Sequence, residues 1–151
     1  PQYSSSNQQS TRSTISQDSF IDRLIQSESS GNCQAEITIK DGRRFVGKLQ
    51  FGAARLADYS AASVKRFTQG NFQADPSLQN QVAVWHFNDI NKAIDALGDA
   101  AARYDRDGLR AAAHLSGKGG MKRFVKSGGK YNPSDELGTS LKDYYNKFSK
   151  S

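Results

Sequence analysis

Apolar residues in the early part of the chain recur at the spacing of one face of an α-helix. They are Phe20, Ile21, Leu24 and Ile25. This stripe predicts an amphipathic helix that begins at Asp18 or Ser19, either of which can cap it, and that ends at Gly31-Asn32. Glu28 continues the apolar face by one more turn, so the sequence places a carboxyl where water is scarce.

Two β-prone stretches come next, at residues 37–40 and 43–46, and Asp41-Gly42 separates them. An Asp-Gly pair between such runs predicts a β-hairpin. Because side chains alternate along a strand, Glu36 and Thr38 share one face and isoleucines occupy the other. The polar face is either part of a cleft or the solvent-exposed side of the hairpin.

The remainder of the chain has helical patterning. A short helix is predicted over residues 53–63, and Asp75-Pro76 opens a long helix that Gly98 stops after about Leu97. Hydrophobic residues cover more than one face of the long helix, which predicts a central helix buried on several sides. Three shorter helices are expected near residues 106–115, 118–127 and 139–149. The predicted fold class is therefore α+β and mostly helical, with one small β-hairpin and a long central helix.

Length and composition favour one folded domain with a polar extension. Of the 151 residues, 1–17 are rich in Ser, Gln, Asn and Thr and are predicted to form a flexible tail or linker, with residues 18–151 as the domain. No apolar run approaches the ~20 residues that a membrane span requires, so none is expected. The single cysteine and two histidines show no metal-ligand spacing, so we expect neither a metal nor another cofactor.

The positive charge of the chain is unevenly distributed. A net charge of +6 and a pI near 9.5 favour a polyanionic partner or surface. The stretch from Gly108 to Tyr131 has no acid and contains Arg110, Lys118, Lys122, Arg123, Lys126 and Lys130. Few aromatic residues accompany them and no nucleic-acid-binding motif is present, so nucleic acid is not the expected partner. The alternative is a solvated basic face.

Three stretches together resemble the lysozyme-like superfamily, most closely the catalytic domains of Slt-type lytic transglycosylases and phage muramidases. They are ESSGN at 28–32, GKLQFG at 47–52 and AHLSGKGGMKRFV at 113–125. The resemblance implies a lysozyme-like fold and an enzyme that cleaves peptidoglycan at the MurNAc–GlcNAc bond. It also implies a protein that is exported to the periplasm or the extracellular space, or carried in a virion. The further partners it implies are an inhibitor, or a larger secretion or virion assembly.

The same resemblance implies roles for five residues. Glu28 is the general acid/base, because a carboxyl held against apolar side chains has a raised pKa when desolvation penalises its charged form. Ser29 orients that glutamate or contacts substrate, and Gln50 hydrogen-bonds a sugar in the cleft. Phe51 is either a sugar platform or a core residue. His114 stands where a tyrosine usually contacts the catalytic glutamate, and a neutral imidazole suits that position better than a cation.

The sequence leaves the reaction outcome and the presence of activity open. Glu36 and Thr38 can position a water, as in a muramidase, whereas a single carboxyl serves a lytic transglycosylase. His114 and Leu115 depart from the family pattern, which has tyrosine and asparagine at these positions. The alternative to an enzyme is a non-catalytic module that keeps the lysozyme fold and binds peptidoglycan or another glycan.

Overall fold

A computed structural model describes residues 19–150, so the predicted tail at residues 1–17 and the cap at Asp18 lie outside the described residues. Within residues 19–150 the chain forms seven helices and three short strands, which confirms a mostly helical α+β architecture. The helices are α1 (Ser19–Ser29), α2 (Ala53–Ser63), α3 (Gln69–Gln73), α4 (Pro76–Leu97), α5 (Asp99–Ala102), α6 (Arg106–Lys126) and α7 (Leu141–Phe148). The strands are β1 (Glu36–Thr38), β2 (Arg44–Val46) and β3 (Phe51–Gly52).

The chain divides into two compact units, and the boundary between His86 and Phe87 falls within α4. The first unit contains α1, the three strands, α2, α3 and the beginning of α4. The second contains the rest of α4 with α5, α6 and α7. Glu28 belongs to the first unit and His114 to the second. In residues 19–150, no helix combines the length and the apolar character needed to cross a bilayer.

The sheet of the first unit is antiparallel, with strand order β1-β2-β3. The predicted hairpin is present: Ile37 pairs with Phe45, and Gly42 turns the chain at a φ of 91°, in the left-handed region that favours glycine. The prediction of a hairpin alone was incomplete, because Phe51 and Gly52 form a third strand against β2. Two residues are too few for alternation to reveal a strand.

Side-chain caps set the starts of α3 and α4. The Asp75 carboxylate accepts a hydrogen bond from the Leu78 N–H at 3.1 Å, and Pro76 opens α4 as predicted. The unpredicted helix α3 begins with a reciprocal pair of hydrogen bonds between Thr68 and Asn71. These caps satisfy backbone N–H groups that have no partner within the helix.

Apolar residues from most elements of the first unit are buried. They include Phe20, Leu24, Val46, Leu49, Leu56, Phe72 and Val82. The stripe predicted on α1 is therefore the buried face of that helix. On α4, by contrast, Val84 is 45% exposed, so the long helix keeps one face in water.

In the second unit, α6 consists of two helical segments that meet at Gly117. This residue has φ 81° and ψ 166°, a backbone conformation almost restricted to glycine. The sequence predicts the two segments as separate helices on either side of it. Helix α7 packs on α6, and the centroids of the Tyr145 and Phe124 rings lie 5.4 Å apart. Gly108 permits this approach, since a Cβ there would lie 2.6 Å from the Tyr145 ring.

Candidate active site around Glu28

Glu28 occupies the last turn of α1 and is fully buried, with 0% of its surface exposed. Its neighbours Ser27 and Ser29 are buried as well. The helix ends immediately afterwards, because Ser30 and Gly31 both adopt positive φ values of 55° and 83°. The carboxyl therefore lies inside the protein at a helix end, where α1 passes into the loop before the hairpin.

Ser29 ties the end of α1 to the loop between β2 and β3. Its hydroxyl donates to the Lys48 carbonyl oxygen at 2.8 Å and lies 3.2 Å from the Ile25 carbonyl oxygen of its own helix. Lys48 belongs to the second of the three stretches that carry the superfamily resemblance. The structure thus connects two of those stretches, through the residue next to Glu28.

Gln50 is buried in the same loop and points its amide at the backbone. Its Nε2 donates to the Ala35 and Gly47 carbonyl oxygens at 3.1 and 3.0 Å. Among residues 19–150 its Oε1 has no hydrogen-bond partner. Gln50 holds a φ of 55°, which is unusual for a residue with a side chain. Any contact between Gln50 and a sugar therefore rests on Oε1.

Gln79, which the sequence did not single out, is the main anchor of this loop. It is 4% exposed, and its Oε1 accepts from the Lys48 N–H at 2.9 Å. Its Nε2 donates to the carbonyl oxygens of Cys33 at 2.8 Å, Phe72 at 3.1 Å and Gln73 at 3.3 Å. We call these four contacts the Gln79 hub.

Two features of the sequence are related to the Gln79 hub. They are the glycine at position 47 and the position of Gln79 in the helical pattern of α4. A Cβ at Gly47 would lie 2.7 Å from Gln79 Oε1, so only glycine lets the loop approach the amide so closely. Gln79 precedes the buried residues Val82 and Ala83 by three and four positions. An amide on the buried face of a helix was the signal that could have identified it.

Phe51 lies in the core of the first unit. Its ring is buried and makes edge contacts with Phe72, at a centroid distance of 5.9 Å, and with His86, at 4.9 Å. His86 is itself buried, and its Nδ1 accepts a hydrogen bond from Arg55 Nε at 2.9 Å. Of the two roles that the sequence offered for Phe51, this location matches the core residue.

Glu36 and Thr38 lie on the exposed face of the hairpin. Arg44 donates to both carboxylate oxygens of Glu36, at 3.0 and 3.2 Å, and Gln73 Nε2 donates to one of them at 3.0 Å. The hydrogen bond from Arg44, followed by that from Gln73, holds the pKa of Glu36 below its ordinary value. Glu36 is thus a carboxylate whose two oxygens are already engaged.

His114 lies on α6 in the second unit and is partly buried. Its ring stacks on Phe87 at a centroid distance of 6.1 Å and an angle of 29°. Leu115 follows it, also partly buried, two residues before Gly117. The third stretch therefore spans the point where α6 changes direction.

Comparison with known proteins identifies no relative of this chain. No family model, no curated protein and no solved structure matches it. Membership of the lysozyme-like superfamily therefore stays a prediction that rests on the three stretches of sequence.

Proposed function

We propose that the chain has a lysozyme-like fold and cleaves peptidoglycan strands at the MurNAc–GlcNAc bond, with Glu28 as the general acid/base. The observation that carries the proposal is the complete burial of Glu28 within the ESSGN stretch. Burial penalises the charged form of a carboxyl, which favours the form of Glu28 that carries a proton. A general acid needs that proton for the leaving oxygen.

A single carboxyl can complete the reaction if the substrate supplies the nucleophile. Glu28 gives its proton to the glycosidic oxygen as the bond to C1 of MurNAc breaks and the acetamido oxygen of the same sugar attacks C1. The C6 hydroxyl then displaces that oxygen while the Glu28 carboxylate accepts the hydroxyl proton. The product is a 1,6-anhydro sugar, and Glu28 regains its starting form.

The state of Glu36 supports this lytic route over hydrolysis. A hydrolase of the two-carboxyl kind uses a second carboxylate as a base or nucleophile. The Glu36 oxygens accept hydrogen bonds from Arg44 and Gln73, and the lowered pKa makes Glu36 a weaker base. We therefore propose anhydro-muramyl products, with the role of Glu36 and Thr38 in positioning a water as the alternative.

The burial of Glu28 also favours a second candidate function. A general acid must come within hydrogen-bonding distance of the oxygen that it protonates. With none of its surface exposed, Glu28 meets a ligand only after part of the first unit moves. A protein that binds peptidoglycan without cleaving it would need no such movement, and its buried glutamate would serve the fold alone.

Digestion of purified peptidoglycan, with the released fragments identified by mass spectrometry, tests these proposals. Three proteins are compared: the wild type, Glu28→Gln, and the control Glu136→Gln, which makes the same chemical change at an exposed position. Melting temperatures show that each variant is folded. We expect anhydro-muramyl ends from the wild type and the control but not from Glu28→Gln.

The other results of this digestion lead to different conclusions. Reducing ends that require Glu28 would make the protein a muramidase and direct attention to Glu36. Equal product from the wild type and Glu28→Gln would refute the role of Glu28. Binding without product from any of the three would favour the non-catalytic module.

A further inference from the structure

The basic residues of α6 and the turn after it differ in whether they have acidic partners. Arg110 pairs with Asp107 at 3.0 Å, and Lys118 pairs with Asp89 at 2.9 Å. The remaining cations of the stretch form no ion pair with any acid in residues 19–150. They are Lys122, Arg123, Lys126 and Lys130, which we call the basic cluster. The structure thus leaves four of the six cations of this stretch without an acidic partner in residues 19–150.

The backbone after α6 returns Lys130 towards the helix end. Gly128 and Gly129 both have positive φ values, of 68° and 89°, and the Gly129 N–H donates to the Phe124 carbonyl oxygen at 2.9 Å. The next link is the Tyr131 N–H, which donates to the Ser127 hydroxyl at 2.8 Å. These hydrogen bonds pair backbone groups of the turn with neighbouring groups of the same segment and hold its conformation.

An open depression of about 420 Å³ lies at this helix end, lined by Arg123, Lys126, Ser127 and Tyr131. The Arg123 guanidinium lies over the Tyr131 ring, 5.4 Å from its centroid. Stacking restricts the guanidinium and leaves its N–H groups to bind an anion, and guanidinium geometry matches a carboxylate with two parallel hydrogen bonds. Lys126 adds a second positive charge at the edge.

The position of the cluster at a helix end explains only part of it. Cations in the last turn of a helix complement its dipole, which accounts for Arg123 and Lys126. Lys130 lies beyond the helix, and a group of like charges repels itself without an anionic partner. An anionic ligand removes this repulsion.

We propose that the basic cluster binds the carboxylates of peptidoglycan stem peptides, so that the wall polymer docks on the second unit. The choice of polymer rests on the proposed function. Nucleic acid is the weaker candidate, because the sequence has no nucleic-acid-binding motif and the depression offers no uncovered aromatic face for base stacking. The one aromatic ring lining the depression is Tyr131, which Arg123 covers.

Sedimentation with insoluble peptidoglycan measures this docking directly. The cluster variant is Lys126→Glu/Lys130→Glu, and its matched control is Lys92→Glu/Arg103→Glu, the same charge change at exposed positions of the same unit. Each protein is mixed with native peptidoglycan and with peptidoglycan whose carboxylates have been converted to neutral amides. Cleavage of soluble glycan fragments is measured in parallel, with Glu28→Gln as the inactive reference.

We expect the cluster variant to bind native peptidoglycan about tenfold more weakly than the control, as two reversed surface charges allow. Amidation should reduce wild-type binding to a similar level and barely change the cluster variant. Equal loss in the control variant, or unchanged binding to amidated peptidoglycan, would overturn the proposal. So would tighter, cluster-dependent binding to generic DNA.

The parallel cleavage assay separates this proposal from the proposed function. If the wild type docks through carboxylates but cleaves nothing, the docking surface stands and the enzymatic function fails. If cleavage depends on Glu28 but the cluster variant binds as well as the control, the enzyme stands and the docking surface fails.

Discussion

Replacing Gln79 with alanine removes four hydrogen bonds from the interior of the first unit. Three backbone groups then have no other hydrogen-bond partner in residues 19–150: the Lys48 N–H, the Cys33 carbonyl and, from a longer contact of 3.3 Å, the Gln73 carbonyl. Phe72 is less affected, because its carbonyl oxygen also accepts from the Asp75 N–H at 3.1 Å. The Gln79→Ala variant thus tests how much the hub contributes to the fold.

Leaving a buried polar group without its partner costs about 1.5 kcal/mol, so the two closest contacts, with Lys48 and Cys33, predict a loss of about 3 kcal/mol in the free energy of unfolding. The free energy of unfolding of a domain is typically roughly 5–15 kcal/mol, so this loss is a large share of it. The same substitution at Gln81, an exposed residue two positions along α4, should change stability by less than about 0.5 kcal/mol. Urea unfolding monitored by circular dichroism measures both.

The Gln79→Glu variant adds a dependence on pH. The new carboxylate keeps an acceptor for the Lys48 N–H but faces the carbonyl oxygens to which the amide donated. Burial against those oxygens favours the protonated form, so the pKa of the new group is higher folded than unfolded. The free energy of unfolding that Gln79→Glu loses relative to the wild type, measured at each pH, should therefore be greatest near pH 7 and become smaller in acid. If Gln79→Ala matched Gln81→Ala, the hub would not hold the loop.

Two further predictions concern Glu36 and the bend in α6. Removing the guanidinium by Arg44→Ala should raise the pKa of Glu36 towards its ordinary value, as measured by NMR titration of its carboxyl; an unchanged pKa would contradict the hydrogen-bond assignment. Because that pKa is lowered on folding, the stabilisation it reflects is present above the unfolded pKa and is lost as pH falls through the folded one. Gly117→Ala should destabilise the protein by about 2 kcal/mol, because an alanine is strained at a φ of 81°. A Cβ there would meet no atom within 4 Å, so the backbone alone accounts for this cost. The same change at Gly119, which has no positive φ, should instead stabilise by up to about 1 kcal/mol; equal shifts in thermal unfolding would refute the comparison.

The bounds of the longer helices could be predicted because local chemistry marks them. Asp75-Pro76 and Gly98 delimit α4, and the predicted bounds of α2 agree with the structure. The short elements α3, α5 and β3 were missed, since two to five residues carry too little periodicity. Local sequence determines where a helix starts and stops, whereas short elements owe their form to their neighbours.

The candidate site shows the same limit at the level of single residues. The burial of Glu28 could be predicted because its place on an apolar helix face follows from spacing, whereas its catalytic role is a prediction from the resemblance. The contacts that fix the adjacent loop join residues far apart: Ser29 and Lys48 are 19 positions apart, and Gln79 and Cys33 are 46 apart. No local pattern encodes such pairings. The role of Gln79 therefore becomes apparent only in the folded chain.

The Gln79 hub has a consequence for how the protein tolerates mutation. Gln79 forms its hydrogen bonds with backbone atoms of four residues: Lys48, Cys33, Phe72 and Gln73. Exchanging the side chains of these residues therefore leaves the hydrogen bonds in place. We expect Lys48 and Cys33, which lie outside the apolar core, to accept many amino acids in a deep mutational scan. Gln79 and Gly47 should accept few. The interaction would then appear as two restricted positions among variable neighbours.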